Sequence, residues 1–116
     1  ILAQAERDVL KVISQHCPPG QAMLCGSSVH QDRRFLSRYM PRLDQHLHFH
    51  TVDIATMSVL VNAWYPDRKI EENFDRPVTR HRAMADVRAS LEEMRYYCRN
   101  AFGIKLEALA QPPRPR

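Results

Sequence analysis

The sequence predicts an α/β protein that is mostly helical and contains about two short strands. Apolar residues recur at helical spacing in four segments, most clearly from about residue 82 to residue 102. Two shorter segments lack that spacing and are typical of strands, and Pro and Gly residues separate the elements. Because two strands cannot cover the apolar faces of four helices, we expect a larger sheet whose other strands lie outside this chain.

The first half of the chain is predicted to begin with a helix and a strand. The helix covers residues 2 to 16 and ends before Pro18, because proline cannot continue a helix. Residues 22 to 25 are apolar without polar alternation, which predicts a strand buried on both faces. Gly26 allows the backbone to bend where this strand ends.

A second helix and a second strand are predicted next. Ser28 and Gln31 have the spacing of a capping box, so a helix is expected to begin there and to end near Met40, before Pro41. Its expected buried residues are Phe35, Leu36 and Tyr39. The second strand is predicted over residues 48 to 52.

The second half of the chain is predicted to contain two helices joined by a mobile loop. Asp53 is placed to cap the first of them, whose apolar stripe is Ile54, Met57, Leu60, Val61 and Trp64. Residues 67 to 80 are dense in charge and have no period, which predicts the loop. The last helix has the stripe Met84, Val87, Leu91, Met94 and Cys98 and is expected to end near Gly103.

Length and composition favour one intracellular domain that is part of a longer protein. We expect residues 1 to 103 to form the C-terminal portion of a domain, and the proline-rich residues 104 to 116 to be a disordered or extended tail. No apolar run is long enough to span a membrane. The net charge of +4 is compatible with a polyanionic partner and equally with an ordinary solvated surface. Cys17, Cys25 and Cys98 are expected to be reduced core residues.

Two places in the chain have acidic or imidazole groups in positions that suit a site. Asp32 is expected in the first turn of a helix that follows a buried strand, where α/β proteins often bind ligands, although the helix dipole alone also stabilises an acidic residue there. His81 precedes the last helix and Asp86 follows five residues later, so both are able to face one cleft. The alternative is a solvated histidine and an ordinary Arg82–Asp86 surface pair.

A third candidate is the alternating series His46, His48 and His50. On a strand these imidazoles would share one face and could bind zinc. Alternating polar residues on a half-exposed strand are the more common explanation, and only Asp44 or Asp53 is near enough in sequence to complete a zinc site.

Four segments in order and spacing closely resemble the oligoribonuclease family. They are Gly26 to Leu36, which includes the block Gln-Asp-Arg-Arg-Phe-Leu, then Tyr39-Met40-Pro41, then Val52 to Thr56, and then His81 to Ser90. The Gln-Asp-Arg-Arg-Phe-Leu block is more specific than any single acidic motif. The resemblance runs from about residue 2 to residue 102.

The resemblance implies a DnaQ-like exonuclease of the ribonuclease H-like fold, represented here by its C-terminal part. Such enzymes hold two divalent ions, Mg²⁺ or Mn²⁺, on carboxylates beside the scissile phosphate. It implies Asp32 and Asp86 as metal ligands and His81 as the general base, a role that suits imidazole because it exchanges a proton near neutral pH. Ser28 matches a contact to the terminal phosphate, and Phe49 and His50 match substrate-binding positions around the 5′ phosphate.

The implied activity is removal of nucleoside monophosphates from the 3′ end of short single-stranded RNA by a homodimer, in the cytoplasm or in mitochondria. Two departures from the family pattern qualify it. The first acidic motif, Asp-x-Glu, has no counterpart, so this chain alone is expected to be inactive. Ser27 and Ala85 stand where the family usually has Asn and Asp, and Phe49, His50 and Ala55 stand where bacterial relatives have Tyr, Arg and Ser. The loss of a hydroxyl and a guanidinium removes charge-assisted hydrogen bonds to phosphate. The alternative is a catalytically degenerate exonuclease fold that serves as a structural or RNA-binding component of a larger assembly.

Overall fold

The computed structural model describes residues 1–78 and 80–103, and the chain divides into two compact units. The first unit is Ile1–Asp53 and the second is Ile54–Arg116. The expectation for the tail, residues 104 to 116, lies outside the described residues. Mostly helical structure with a pair of parallel strands confirms the predicted fold class, and agrees with part of a ribonuclease H-like fold.

The first unit contains three helices and the two strands. They are α1 (Leu2–His16), β1 (Leu24–Gly26), α2 (Val29–Tyr39), α3 (Pro41–His46) and β2 (Thr51–Asp53). The strands pair in parallel, with Leu24 opposite Thr51 and Gly26 opposite Asp53. Both strands therefore end at the same edge, and α2 begins three residues beyond β1 at that edge.

Helix α3 was not predicted from the sequence. Pro41 ends α2, as expected, but it also occupies the first turn of α3, where its missing N–H costs nothing. At this end of α3 the backbone amides of Arg42 and Leu43 both donate hydrogen bonds to the carboxylate of Glu6 on α1, at 3.0 and 3.2 Å. A contact between residues so far apart in sequence leaves no periodic signal.

Several predictions of burial and strand position in the first unit were wrong. Phe35 and Tyr39 are 64% and 49% exposed, because they line an open apolar groove instead of a core. Cys25 is also exposed, so β1 is not buried on both faces. The second strand begins at Thr51, and residues 48 to 50 form a loop.

The second unit is organised by an apolar core. It contains α4 (Ile54–Trp64), a 3-10 helix (Pro66–Arg68) and α5 (Ala83–Asn100). The core residues are Ile54, Val61, Ile70 and Tyr97, each 5% exposed or less. Of the predicted stripe on α5, Cys98 is buried and Met94 packs against the core, whereas Met84, Val87 and Leu91 are exposed.

The charged segment predicted as a mobile loop has defined contacts over its first part. Ile70 is buried, and its carbonyl accepts a hydrogen bond from the Tyr96 hydroxyl. Arg76 pairs with Glu71 and with Glu93 of α5, each at 2.9 Å. The segment up to Arg76 is therefore packed against the helices of its own unit.

Candidate functional site

The common edge where β1 and β2 end is organised by Asp53. Its Oδ1 accepts a hydrogen bond from the backbone N–H of Ser28 at 3.0 Å, and its Oδ2 lies 3.9 Å from Nδ1 of His30. Ser28 has φ +54°, a left-handed conformation that is unfavourable for a residue with a Cβ. The hydrogen bond to Asp53 thus stabilises the turn that leads from β1 into α2.

Asp32 lies in the first turn of α2, as predicted, and is exposed. Helix dipoles favour a negative charge at this end of a helix. Ser28 is the residue immediately before α2, but it does not act through its side chain as the predicted cap. Instead its carbonyl accepts the N–H of Gln31 at 3.1 Å.

Cys25 lies at this edge, next to Asp53. The pKa of its thiol is raised, first by partial burial and second by the negative charge of Asp53. The Asp53 side chain is only 17% exposed, so its charge is poorly screened by water. Asp53 therefore places a negative charge close to the Cys25 thiol at this edge.

The loop before β2 carries Phe49 and His50. The rings of His48 and Phe49 stack with centroids 4.5 Å apart, and the rings of Phe49 and His50 meet edge to face at 4.3 Å. Phe49 is 78% exposed. An exposed aromatic ring on an ordered loop is able to stack on a nucleobase.

Arg33 holds this loop on α2. Its guanidinium pairs with Asp44 and also donates hydrogen bonds to the backbone carbonyls of Asp44 and His48. Helical periodicity contained a signal for this role, since Arg33 lies four residues after the fully buried Val29 and shares its face. Arg33 was assigned no function from the sequence, and Asp53 was considered as a helix cap and as a possible fourth ligand for zinc, but not as a contact to Ser28.

In the second unit, His81 and Asp86 flank the start of α5. Asp86 is half-buried in the first turn, and its N–H donates to the carbonyl of Arg82 at 2.9 Å. His81 is exposed and has φ +54°. In the described residues, the non-glycine positions with positive φ are Ser28, Lys69 and His81, so two of the three coincide with predicted site residues. Such conformations are concentrated at functional sites.

The six predicted site residues are thus distributed over both units. Ser28, Asp32, Phe49 and His50 lie in the first unit, and His81 and Asp86 lie in the second. Carboxylates are the hard oxygen donors that Mg²⁺ and Mn²⁺ prefer, so Asp32 and Asp86 fit a metal in kind. They do not fit in number, because residues 1–78 and 80–103 contain no group of three His, Cys, Asp or Glu side chains that could hold a metal ion. The same finding argues against zinc at His46, His48 and His50.

Comparison with known proteins identifies the class to which this fold belongs. Residues 2–94 match the RNase_T family, described as "Exonuclease". The match covers most of the chain, and the chain belongs to this exonuclease family. Among its curated relatives, the chain is similar to oligoribonucleases.

Three of these relatives show the extent of the similarity. The mitochondrial oligoribonuclease of Homo sapiens is 38% identical over 106 residues, which are 91% of this chain and 44% of the relative. The oligoribonuclease of Dichelobacter nodosus is 39% identical over 99 residues, 85% of this chain and 52% of the relative. That of Bordetella pertussis is 39% identical over 95 residues, 82% of this chain and 51% of the relative. The chain therefore spans about half the length of the relatives it matches.

One further property concerns membranes. Among the helices in the described part of the chain, none combines the length and the apolar character needed to cross a bilayer.

Proposed function

We propose that the protein containing this chain is a 3′–5′ exoribonuclease that degrades short single-stranded RNA to nucleoside monophosphates. One observation carries the proposal: the exonuclease match over residues 2–94 includes Asp32, His81 and Asp86 together. A scaffold without catalysis has no physical need for all three. The names of the relatives, oligoribonuclease, supply the substrate class.

In this proposal each residue has a separate chemical role. Asp32 and Asp86 contribute carboxylate oxygens to a site for Mg²⁺ or Mn²⁺, and the remaining donors come from outside this chain. When held by these carboxylates and by further donors, such ions would supply charge stabilisation for phosphodiester hydrolysis. His81 accepts the proton of the attacking water, and its position before α5, outside the helix, leaves the imidazole exposed for this task.

Substrate binding is assigned to the first unit. The exposed ring of Phe49 stacks on a base, while His50 and Ser28 contact phosphate groups. We further propose a homodimer in which the loop near Phe49 reaches the partner's site, in the cytoplasm or in mitochondria. Sedimentation of the full-length protein tests the dimer.

The experiment that tests the activity uses the full-length protein and a short RNA labelled at its 5′ end. Stepwise shortening with release of nucleoside monophosphates is expected with Mn²⁺, and it should stop when EDTA is added. His81→Ala should reduce hydrolysis by about 10²–10⁴-fold while RNA binding persists. Asp86→Asn should reduce hydrolysis and weaken Mn²⁺ binding. Internal cleavage of the RNA, or equal loss of binding and hydrolysis in His81→Ala, would contradict the assignment.

Matched controls exist for both variants. His16 in the last turn of α1 is an exposed histidine without a proposed role, and Asp75 is an exposed aspartate in the charged segment. His16→Ala and Asp75→Asn should retain the hydrolysis rate of the unmodified protein within about twofold, because surface substitutions away from special features have small effects.

A second candidate function is favoured by the substituted positions in the substrate region. Phe49, His50 and Ala55 stand where bacterial relatives of the family have Tyr, Arg and Ser, so charge-assisted contacts to phosphate are lost. A degenerate fold would bind RNA without hydrolysing it, and EDTA would leave that binding unchanged. The presence of the Asp-x-Glu motif in the full-length protein, together with hydrolysis that depends on Mn²⁺, would exclude it.

A further inference from the structure

Arg33 makes one ion pair and two hydrogen bonds between α2 and the segment that precedes β2. Its Nε lies 2.6 Å from Oδ1 of Asp44, and its two terminal nitrogens donate to the backbone carbonyls of Asp44, at 3.1 Å, and His48, at 2.8 Å. The Arg33 and Asp44 side chains are 21% and 22% exposed, so these contacts are shielded from water. A planar guanidinium suits this task because its donors have a fixed fork geometry.

Besides Arg33, a small set of contacts holds this segment, and Leu47 at its start is buried. The segment leaves α3 at Leu47, and the His48 amide donates to the carbonyl of Ala22 at 2.8 Å. The His50 amide donates to Nδ1 of His48 at 2.9 Å, and both of these rings contact Phe49. The position of Phe49 and His50 therefore depends on His48, whose carbonyl is bound by Arg33.

We propose that Arg33 is a positioning residue that fixes where Phe49 and His50 stand relative to the helix that carries Asp32. Arg33 is the next residue after Asp32. One turn of α2 therefore contains both the candidate metal ligand and the residue that holds the loop with Phe49 and His50. Arg33 affects the binding of the RNA end through the position of this loop and does not contact the RNA. The effect on RNA rests on the proposed function, whereas the ordering of the loop does not.

Arg34 provides a matched control within the same helix. It has the same side chain one position further along, but it is exposed, and its guanidinium contact is a long 3.5 Å hydrogen bond to Gln31 of its own helix. Arg33→Lys keeps the positive charge beside Asp44, but one ammonium cannot reproduce the fork that reaches two carbonyls and a carboxylate. Arg34→Lys makes the same chemical change where no fork is used.

The first test is amide hydrogen exchange in the full-length protein and does not require activity. Arg33→Lys should speed exchange at Leu47, His48 and His50 by about tenfold, since their hydrogen bonds depend on the position of this segment. Arg34→Lys should leave these rates unchanged. Equal exchange rates in Arg33→Lys and in the unmodified protein would overturn the proposal.

The second test measures hydrolysis of short RNA. Arg33→Lys should raise KM about tenfold with kcat changed by less than about threefold, the pattern of lost binding, and Arg34→Lys should change neither. A fall in kcat at constant KM would overturn the role in RNA binding. If the unmodified full-length protein hydrolyses no RNA, the proposed function fails, and the exchange rates alone decide whether Arg33 orders the loop.

Discussion

The two units of the chain are stabilised by different kinds of contact. In the first unit, buried or half-buried polar side chains bond the backbone: Glu6 accepts from amides of α3, Arg33 donates to loop carbonyls, and Asp53 accepts from Ser28. In the second unit, a fully buried Tyr97 lies at the centre of an apolar cluster. Polar contacts accompany it: the Tyr96 hydroxyl donates to the Ile70 carbonyl, and Arg76 pairs with Glu71 and with Glu93 of α5.

This difference indicates that polar contacts set the position of loops in the first unit. Polar contacts to the backbone fix the direction of loops, because a hydrogen bond is directional and apolar burial is not. In the first unit such contacts occur at Ser28 and in the loop that carries Phe49 and His50. The second unit has an apolar cluster at its centre, and His81 follows the charged segment that Arg76 joins to Glu93 of α5.

The largest effect is predicted for removal of the aromatic core of the second unit. Tyr97 has no exposed surface and packs with Ile54, Val61 and Ile70. Tyr97→Ala should lower the free energy of unfolding by about 3–5 kcal/mol, because it removes buried area and leaves a cavity. Urea denaturation of the full-length protein measures the change.

The control for this prediction is Tyr97→Phe, which keeps the ring. In the unmodified protein the Tyr97 hydroxyl donates a long 3.3 Å hydrogen bond to Glu93. Removing the hydroxyl should therefore lower the free energy of unfolding by about 1 kcal/mol or less. If both variants lost the same stability, the second unit would depend on polar contacts as the first does, and the comparison would fail.

A smaller effect is predicted for the polar contact between α1 and α3. Glu6 is 7% exposed, and Glu6→Ala would leave the amides of Arg42 and Leu43 without their acceptor. We expect a loss of about 2–3 kcal/mol in the same urea experiment, set by the cost of buried donors that remain unpaired.

Asp8 is the matched acidic residue on α1, since it is exposed and accepts a hydrogen bond from Gln4 of the same helix. Asp8→Ala should change the free energy of unfolding by less than about 0.5 kcal/mol. Equal effects at the two positions would show that the Glu6 contact does not stabilise the first unit.

Sequence reasoning succeeded where a signal was local. The bounds of α1 and the boundaries around α4 and α5 follow from periodicity and from proline, and the first turn of α2 was placed correctly around Asp32. Asp86 lies in the first turn of the last helix, whose start the periodicity predicted at about residue 82. These features depend on residues within a few positions of one another.

Sequence reasoning failed where residues distant in the chain decide the structure. Helix α3 depends on Glu6, some 36 positions away, and the loop of Phe49 depends on Arg33. Phe35 and Tyr39 have an apolar pattern but are exposed, since periodicity identifies an apolar face without identifying what covers it. The roles of Asp32, His81 and Asp86 as site residues stay predictions.

The smallest effect is predicted for the pH dependence of the surface segment in the second unit. The hydrogen bond from Asn62 and the charge of Arg76 lower the pKa of Glu71 from its ordinary value of 4.5. Because the pKa is lower in the folded protein, the stabilisation is present above the unfolded pKa and is lost as the pH falls through the folded pKa. As the pH falls below about 4.5, Glu71→Gln should therefore lose less free energy of unfolding than the unmodified protein does. The difference should be less than about 1 kcal/mol, because the group is accessible to water. Urea midpoints measured across this range test the sign, with the exposed neighbour Glu72→Gln as control. A steeper decline in Glu71→Gln than in the control would mean that the contacts of Glu71 with Asn62 and Arg76 do not stabilise the segment, and that its other contacts, such as the packing of Ile70 and the pair of Arg76 with Glu93, hold it.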